Sequence, residues 1–259
     1  MKLSGARIVV TGASRGIGAA LAAALAARGA RVVLVARSPE PLEKLAAELG
    51  GEAFPADLTD ASAIEPLVRR IEADGPIDVL VNNAGVDLTG DLVDLPTDAI
   101  VNLLALNLNA PILLSRAVIP GMRSRGRGHI VNVSSLAGTN AVRGLAPYSA
   151  SKAGLSHFTA GLRAELKGTP VGTTLAQIGA VESTMIESVR SHQPTRRAFT
   201  RLERLHLSFD LDMDVVVAAL VDAIERDKRH VRLPRRDALF PMIVEVPRRV
   251  TEVLLAGVR

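Results

Sequence analysis

From Ala6 to Gln177 the chain repeats one unit: a short β-branched run, a turn, and an Ala/Leu-rich stretch long enough for a helix. The apolar runs are RIVV (7 to 10), RVVLVA (31 to 36), EAFPA (52 to 56), IDVLV (77 to 81), HIVNV (129 to 133) and VGTTLA (171 to 176). Runs that are apolar on both faces and separated by helices demand a parallel sheet covered on both sides. The expected fold is α/β, a doubly wound parallel sheet, with residues 1 to 259 forming a single domain.

Cap signals place helices at 16 to 28, ended by Gly29, at 39 to 49, ended by Gly50 and Gly51, and at about 60 to 74, before Gly75-Pro76. Two longer ones are expected at about 97 to 125, with a break near Pro111, and at about 147 to 167. After Gln177 the texture changes. Residues 182 to 210 are polar, Arg-rich and weakly periodic, as suits a mobile substrate lid, and a helix at 213 to 227 with a strand at 230 to 234 closes the sheet. In the tail, residues 238 to 259, Pro247 can start a helix that carries Val250, Val253, Leu254 and Val258 on one face. That face must cover the parent domain, a partner subunit or a lipid surface, and the tail is too interrupted to span a membrane.

Composition narrows the function classes. A net charge of +4 from 31 basic and 27 acidic side chains, spread along the chain with few aromatics, does not make a nucleic-acid face. Zero Cys excludes disulfides and thiolate chemistry and fits a reducing compartment, the cytoplasm. The N-terminal apolar run is too short for a signal sequence or a membrane span. His157, His192 and His206 are scattered without ligand spacing, so no metal site is expected.

Between the first run and the first helix lies TGASRGIG, residues 11 to 18. Gly12 permits the tight turn, Gly16 lets the backbone approach a phosphate, and Gly18 lets helix and strand pack closely, while the helix N-terminal amides face a pyrophosphate. A Gly-rich turn needed only for chain reversal is the bland alternative. The spacing differs from GxGxxG and resembles the TGxxxGxG motif of the short-chain dehydrogenase/reductase family, whose members have a Rossmann-type fold. The resemblance persists in Asn82, Asn83, Ala84 and Gly85 after the fourth run and in Asp57 of ADLTD after the third. It implies that Gly12, Ser14, Arg15, Gly16, Ile17 and Gly18, then Asp57 and Leu58, then Asn83, Ala84 and Gly85, contact a nicotinamide dinucleotide.

Charge separates the two cofactors. An NAD site places a carboxylate at the end of the second strand, which would repel a 2′-phosphate. Here that position is Ala36, followed by Arg37, with Arg15 inside the glycine loop. Two guanidiniums and no carboxylate favour NADP(H) over NAD(H). A merely solvated Arg37 is the alternative.

The only tyrosine of the chain opens YSASK, residues 148 to 152, and Tyr148 and Lys152 fall one helical turn apart on one face. A phenol with pKa about 10 exchanges protons poorly near neutrality, so a neighbouring ammonium and a cationic nicotinamide ring are expected to stabilise the phenolate. In the family the catalytic Ser precedes the Tyr by thirteen residues, which selects Ser135 over Ser134, and strand alternation sends those two hydroxyls to opposite faces. By resemblance, Tyr148 exchanges the proton, Ser135 holds the substrate oxygen, Lys152 serves the phenol and the ribose, and Asn107 of LALNLNAP positions a water. Asn109 competes for that last role, and a backbone-bonded Asn107 is the structural alternative.

Beyond the sixth run IGAVESTM departs from the family pattern: Ile178 replaces a Pro, which removes a backbone restraint, and Ser183 stands where Thr contacts the carboxamide. Val181 still offers a backbone N–H to that group. The resemblance implies an NADP(H)-dependent oxidoreductase acting on a carbonyl or secondary alcohol. Met185, Ile186, Val189, Phe199, Leu202 and Leu205 in the lid suggest an apolar substrate with an anionic end. It also implies a homodimer or homotetramer. A non-catalytic NADP-binding regulator on the same fold is the alternative, and the intact proton-transfer set argues against it.

Overall fold

The computed structural model describes residues 1 to 140, 142 to 181, 192 to 204, 211 to 234 and 246. Seven strands form one parallel sheet: β1 (Arg7–Thr11), β2 (Arg31–Ala36), β3 (Glu52–Pro55), β4 (Val79–Asn82), β5 (Gly128–Ser135), β6 (Val171–Ile178) and β7 (His230–Leu233), in the order β3-β2-β1-β4-β5-β6-β7. The order reverses between β1 and β4, and the crevice above that switch point is where ligands bind in such sheets.

Strand alternation divides the core into two layers. Ile8 and Val10 face one side with α1 (Gly16–Ala26), α2 (Pro39–Leu49) and α8 (Met213–Glu225), while Val9 faces the other with α3 (Ala61–Ala73) and the helices between β4 and β6. Each fully buried Val, Leu or Ile there contributes about 1.5–3 kcal/mol relative to exposure. Both faces of every central strand are used up in this way and both edges by strand pairing, so the strand ends are left to do the chemistry.

The long helix expected at 97 to 125 does form, but it does not break near Pro111. α4 (Thr97–Leu104) runs through a π turn (Ala105–Asn109) into α5 (Ala110–Ser124). Pro111 has no N–H to donate back one turn, and the chain answers with a wider turn in which the Ala110 N–H reaches the Ala105 carbonyl. By length and composition the helix Thr97–Ser124 could cross a membrane. Its apolar stripe of Leu103, Ala110, Leu114, Val118 and Met122 is instead buried in the body of the domain, as a core helix requires.

Two further expectations change. Residues 193 to 204 of the lid segment are a regular helix, α7 (Gln193–Arg204), rather than weakly ordered chain. Gln, Ala and Arg are good helix formers, and the segment sorts its faces, with Thr195 fully buried and Arg196, Arg197, Arg201 and Arg204 exposed. β5 ends at Ser135, as expected of HIVNVSS (129 to 135), while β6 runs two residues beyond its apolar run, to Ile178. Ile178 pairs with both Ser135 and Leu233, so the sheet supplies the restraint that the absent Pro would have given. The tail from 238, apart from residue 246, and most of the lid lie outside the described residues.

Candidate active site

The end of β1, the start of α1 and the loop after β4 are built around Thr11. Its hydroxyl donates to the Val81 carbonyl (3.2 Å) and accepts from the backbone N–H of both Asn83 and Ala84 (3.0 Å each). The Asn83 amide then donates to the Thr11 carbonyl at 2.9 Å. This clasp leaves no room at two glycines. A Cβ on Gly12, at φ +66°, would stand 2.8 Å from the Ala84 Cα, and one on Gly18 would stand 2.6 Å from the Asn83 Nδ2. Gly16 differs: it has φ +58° and nothing within 4 Å of where a Cβ would sit.

Gly16 begins α1, whose first turn carries no acidic residue and whose N-terminal N–H groups receive no side-chain cap. Those orphan donors and the positive end of the helix dipole face open space, which fits an anion such as a pyrophosphate. Ser14 and Ile17 are half-buried in the same loop, and Arg15 is exposed at the helix N-cap. Arg37 is exposed at the end of β2, directly after the buried Ala36. Asp57 accepts from the Thr59 N–H (2.9 Å) and hydroxyl (2.7 Å), which holds its carboxyl below the usual range, with Arg37 adding a smaller attraction. Leu58 is buried behind it.

The other side of the crevice is carried by β5, the π turn and α6 (Ala146–Glu165). Ser134 and Ser135 point to opposite faces, as alternation requires. The Ser134 hydroxyl bonds the Lys152 carbonyl and the Ser156 hydroxyl, both at 2.9 Å, and pins α6 to the sheet. Ser135 instead lies on the Tyr148 side, near enough to act on the phenol. It also accepts from the Ala137 N–H at 3.1 Å.

Lys152 is 6% exposed, and its ammonium donates to the Val133 carbonyl at 3.0 Å while lying 5.9 Å from the centre of the Tyr148 ring. Burial lowers it from 10.5 to about 8. The expected lowering of the phenol by this lysine is not seen. Burial pushes Tyr148 up; the Ser135 hydroxyl pulls it partly back, and the carboxylate of Asp87 pushes it further up. Removing the phenolate from water outweighs a cation that is already committed to a backbone carbonyl.

Asn107 is fully buried in the π turn. Its amide grips the Val86 backbone from both sides, with Oδ1 accepting from the N–H at 2.9 Å and Nδ2 donating to the carbonyl at 2.8 Å. A third bond, at 3.2 Å, reaches the Ser151 hydroxyl, which donates to the Tyr148 carbonyl. Asn107 thus has the backbone bond of the structural alternative, though to the loop after β4 rather than at Pro111. Asn109 is exposed. Gly85 sits between the two machines: a Cβ there would lie 3.2 Å from the Asn107 Oδ1 and 3.5 Å from the Lys152 Nζ.

The structure therefore brings Asn107, Ser135, Tyr148, Lys152 and Gly85 together beside the glycine loop. Val181 is buried at a β-bridge to Leu211, and Ser183 lies outside the described residues. Among the described residues no group of His and carboxylates could hold a metal; His157 is exposed, and His206 lies outside them.

A family model for short chain dehydrogenases matches residues 6 to 194. The chain belongs to that family. It is 40% identical over 188 residues to a ketoacyl reductase, HetN, of Nostoc sp., covering 70% of this chain and 66% of that one. Among solved structures, a metagenomic short-chain oxidoreductase in complex with NADP is 43% identical, with 75% of this chain and 93% of that one covered and a TM-score of 0.67. A short-chain dehydrogenase from Sphingobium yanoikuyae in complex with NADPH is 30% identical, with 98% and 96% covered and a TM-score of 0.80. This short-chain dehydrogenase is therefore an oxidoreductase on a Rossmann-like sheet.

Three contributors escaped the sequence reading. Ser151 sits inside YSASK itself, one residue before Lys152, and its spacing from Tyr148 could have marked it. Asp87 follows the NNAG stretch by two residues but had no pattern to distinguish it. Val86 acts through its backbone alone, which no side-chain pattern records.

Proposed function

We propose that this chain transfers a hydride between NADP(H) and a carbonyl or secondary alcohol, with Tyr148 as the proton donor or acceptor. The observation that carries the reading is the grouping of Ser135 and Tyr148 at the C-terminal edge of the sheet, one helical turn from the buried Lys152 ammonium and across from the uncapped start of α1. The dinucleotide, when bound, supplies the hydride. Ser135 and Tyr148 together hold the substrate oxygen, and Tyr148 gives it the proton in reduction. The phenol, protonated at neutral pH at its ordinary value and raised further by burial, suits the acid role in carbonyl reduction. Lys152 orients ribose hydroxyls and keeps positive charge near the phenol below about pH 8. Asn107 holds the Val86 loop, and with it Gly85, where a Cβ on Gly85 would touch that ammonium.

Gly12, Gly16, Gly18, Ser14 and Ile17 form the pyrophosphate cradle, Asp57 and Leu58 flank the adenine, and Asn83, Ala84 and Gly85 carry the next stretch. Val181 and Ser183 serve the carboxamide. Arg15 and Arg37 take the 2′-phosphate, since both are exposed and no carboxylate stands at the end of β2. The two relatives solved with NADP and NADPH support this choice over NAD(H). The match to a ketoacyl reductase supports a ketone substrate with an apolar body. Exposed Val101 on the helix Thr97–Ser124, with exposed Leu92 and Val93 just ahead of it, supports a homodimer or homotetramer.

Tyr148→Phe tests the chemistry: kcat for NADPH-dependent ketone reduction should fall by about 10²–10⁴-fold while NADPH affinity stays within a factor of about two. Retained turnover would sink the mechanism. Arg37→Asp tests the cofactor, and the ratio of kcat/KM for NADPH over NADH should drop by about tenfold or more; an unchanged ratio refutes the assignment.

A further inference from the structure

The peptide between Arg143 and Gly144, just ahead of Tyr148 in sequence, is held from three directions. The Arg143 carbonyl accepts from the Thr195 hydroxyl of α7 at 2.8 Å. The Gly144 carbonyl accepts from the Gly90 N–H at 3.0 Å, in the loop that follows β4. The Arg143 guanidinium pairs with Asp91 in that same loop, at 3.3 and 3.1 Å. One peptide thus joins the loop after β4, the entry to the tyrosine helix and the described part of the lid.

Thr195 is the lid's contribution to this junction. It is fully buried while Arg196 and Arg197 beside it are exposed, so it is the inward anchor of an otherwise outward-facing turn. Its single hydroxyl proton goes to the Arg143 carbonyl, so its oxygen is free to accept, and His192 Nδ1 at 2.7 Å is the donor. Gly144 completes the fit. At φ +82° it has no Cβ, and that position is already filled by the Thr195 hydroxyl and, 2.8 Å away, by His192 Nδ1.

We infer that Thr195 is a positioning residue: its hydroxyl latches α7 to the Arg143–Gly144 peptide and so holds that helix against the entry to the Tyr148 helix. The inference rests on the proposed oxidoreductase function for its kinetic readout only. Thr195 touches none of the proposed reacting groups, so it acts on the fraction of molecules with the lid docked. A ligand that needs the docked state binds more weakly in proportion to that fraction, whereas the chemical step, once the lid is docked, is unchanged.

The test uses the full chain with Thr195→Val, which keeps shape but leaves the Arg143 carbonyl and the His192 N–H without a partner, and Thr195→Ser, which restores the hydroxyl. For a ketone with NADPH, Thr195→Val should raise KM about tenfold with kcat within about twofold, and Thr195→Ser should return KM to near wild type. Limited trypsin digestion provides a readout independent of activity. Arg196, Arg197, Arg201 and Arg204 are exposed on α7, and cleavage there needs the helix to undock and open. Cleavage in that helix should be several-fold faster in Thr195→Val than in wild type or Thr195→Ser. Wild-type cleavage rates in Thr195→Val, or equal damage in Thr195→Ser, would overturn the latch. Faster cleavage together with no ketone turnover even in the wild-type protein would support the latch and count against the oxidoreductase reading instead.

Discussion

The two ends of the same sheet treat buried charge in opposite ways. At the N-terminal edge every buried ion has a partner. Arg7, 2% exposed, is bonded to Glu52 at 2.6 and 3.1 Å and to the carbonyls of Ile71 and Gly75, while Asp78 accepts from the Arg7 N–H and pairs with Arg127 at 2.9 Å. His129 lies 3.0 Å from Asp227 and 2.8 Å from the Thr174 hydroxyl. At the C-terminal edge, Tyr148 and Lys152 are both pushed by burial toward their neutral forms, and Asp87 is raised for the same reason. Paired charges at one end hold strands together, whereas strained ones at the other are groups ready to exchange a proton or accept a ligand's charge.

That contrast is broken most sharply at Lys152. Its folded value is depressed from 10.5 to about 8, so burying the ammonium costs stability below about pH 8, and the cost fades as pH rises toward 10.5. Lys152→Met should therefore abolish most turnover and yet stabilise the cofactor-free protein at pH 7, by at most ~3 kcal/mol, with the gain vanishing by about pH 10.5. Denaturant unfolding at pH 7 and pH 10 measures both limbs. A destabilised variant at pH 7 would mean that the Val133 bond outweighs desolvation and that the two ends do not differ in kind.

The opposite edge should respond in the opposite sense. Arg7→Met leaves two carbonyls and Glu52 without their donor and should cost about 3 kcal/mol of stability while leaving KM for ketone and cofactor unchanged. Activity lost out of proportion to the folded fraction would break the division of labour. The smallest effect is expected at Asp227, whose carboxyl is held low chiefly by the His129 bond. A depressed carboxyl contributes stability that is present above its ordinary value of 3.8 and is lost as pH falls through its folded value. Asp227→Asn should therefore flatten the acid limb of a Tm-against-pH curve below about pH 4, and an unchanged limb would show that His129 gains nothing from this partner.

Much of this was legible in the chain because it is encoded locally. Strand and helix positions followed from apolar runs and caps, and the distance from Ser135 to Tyr148 singled out the hydroxyl that meets the phenol. The π turn was not legible. Pro111 signalled that a helical bond must fail, but whether the helix breaks there or widens upstream depends on what Asn107 can reach, and that is the backbone of Val86. Thr195 was hidden for a related reason: its partner is a carbonyl more than fifty residues away, and nothing in the Arg-rich segment sets it apart from Thr200 in the same helix.

By itself, then, the sequence determined the parallel sheet, the glycine loop at its first turn and the residue types of the proton-transfer set, since each is written in short-range spacing. Only the tertiary structure decided the state of those groups. The upward shift of Tyr148, the lowering of Lys152 and the placement of Asp87 beside the phenol come from how much water the packed domain leaves around each one. Desolvation is a sum over all neighbours at once, and no stretch of chain contains it.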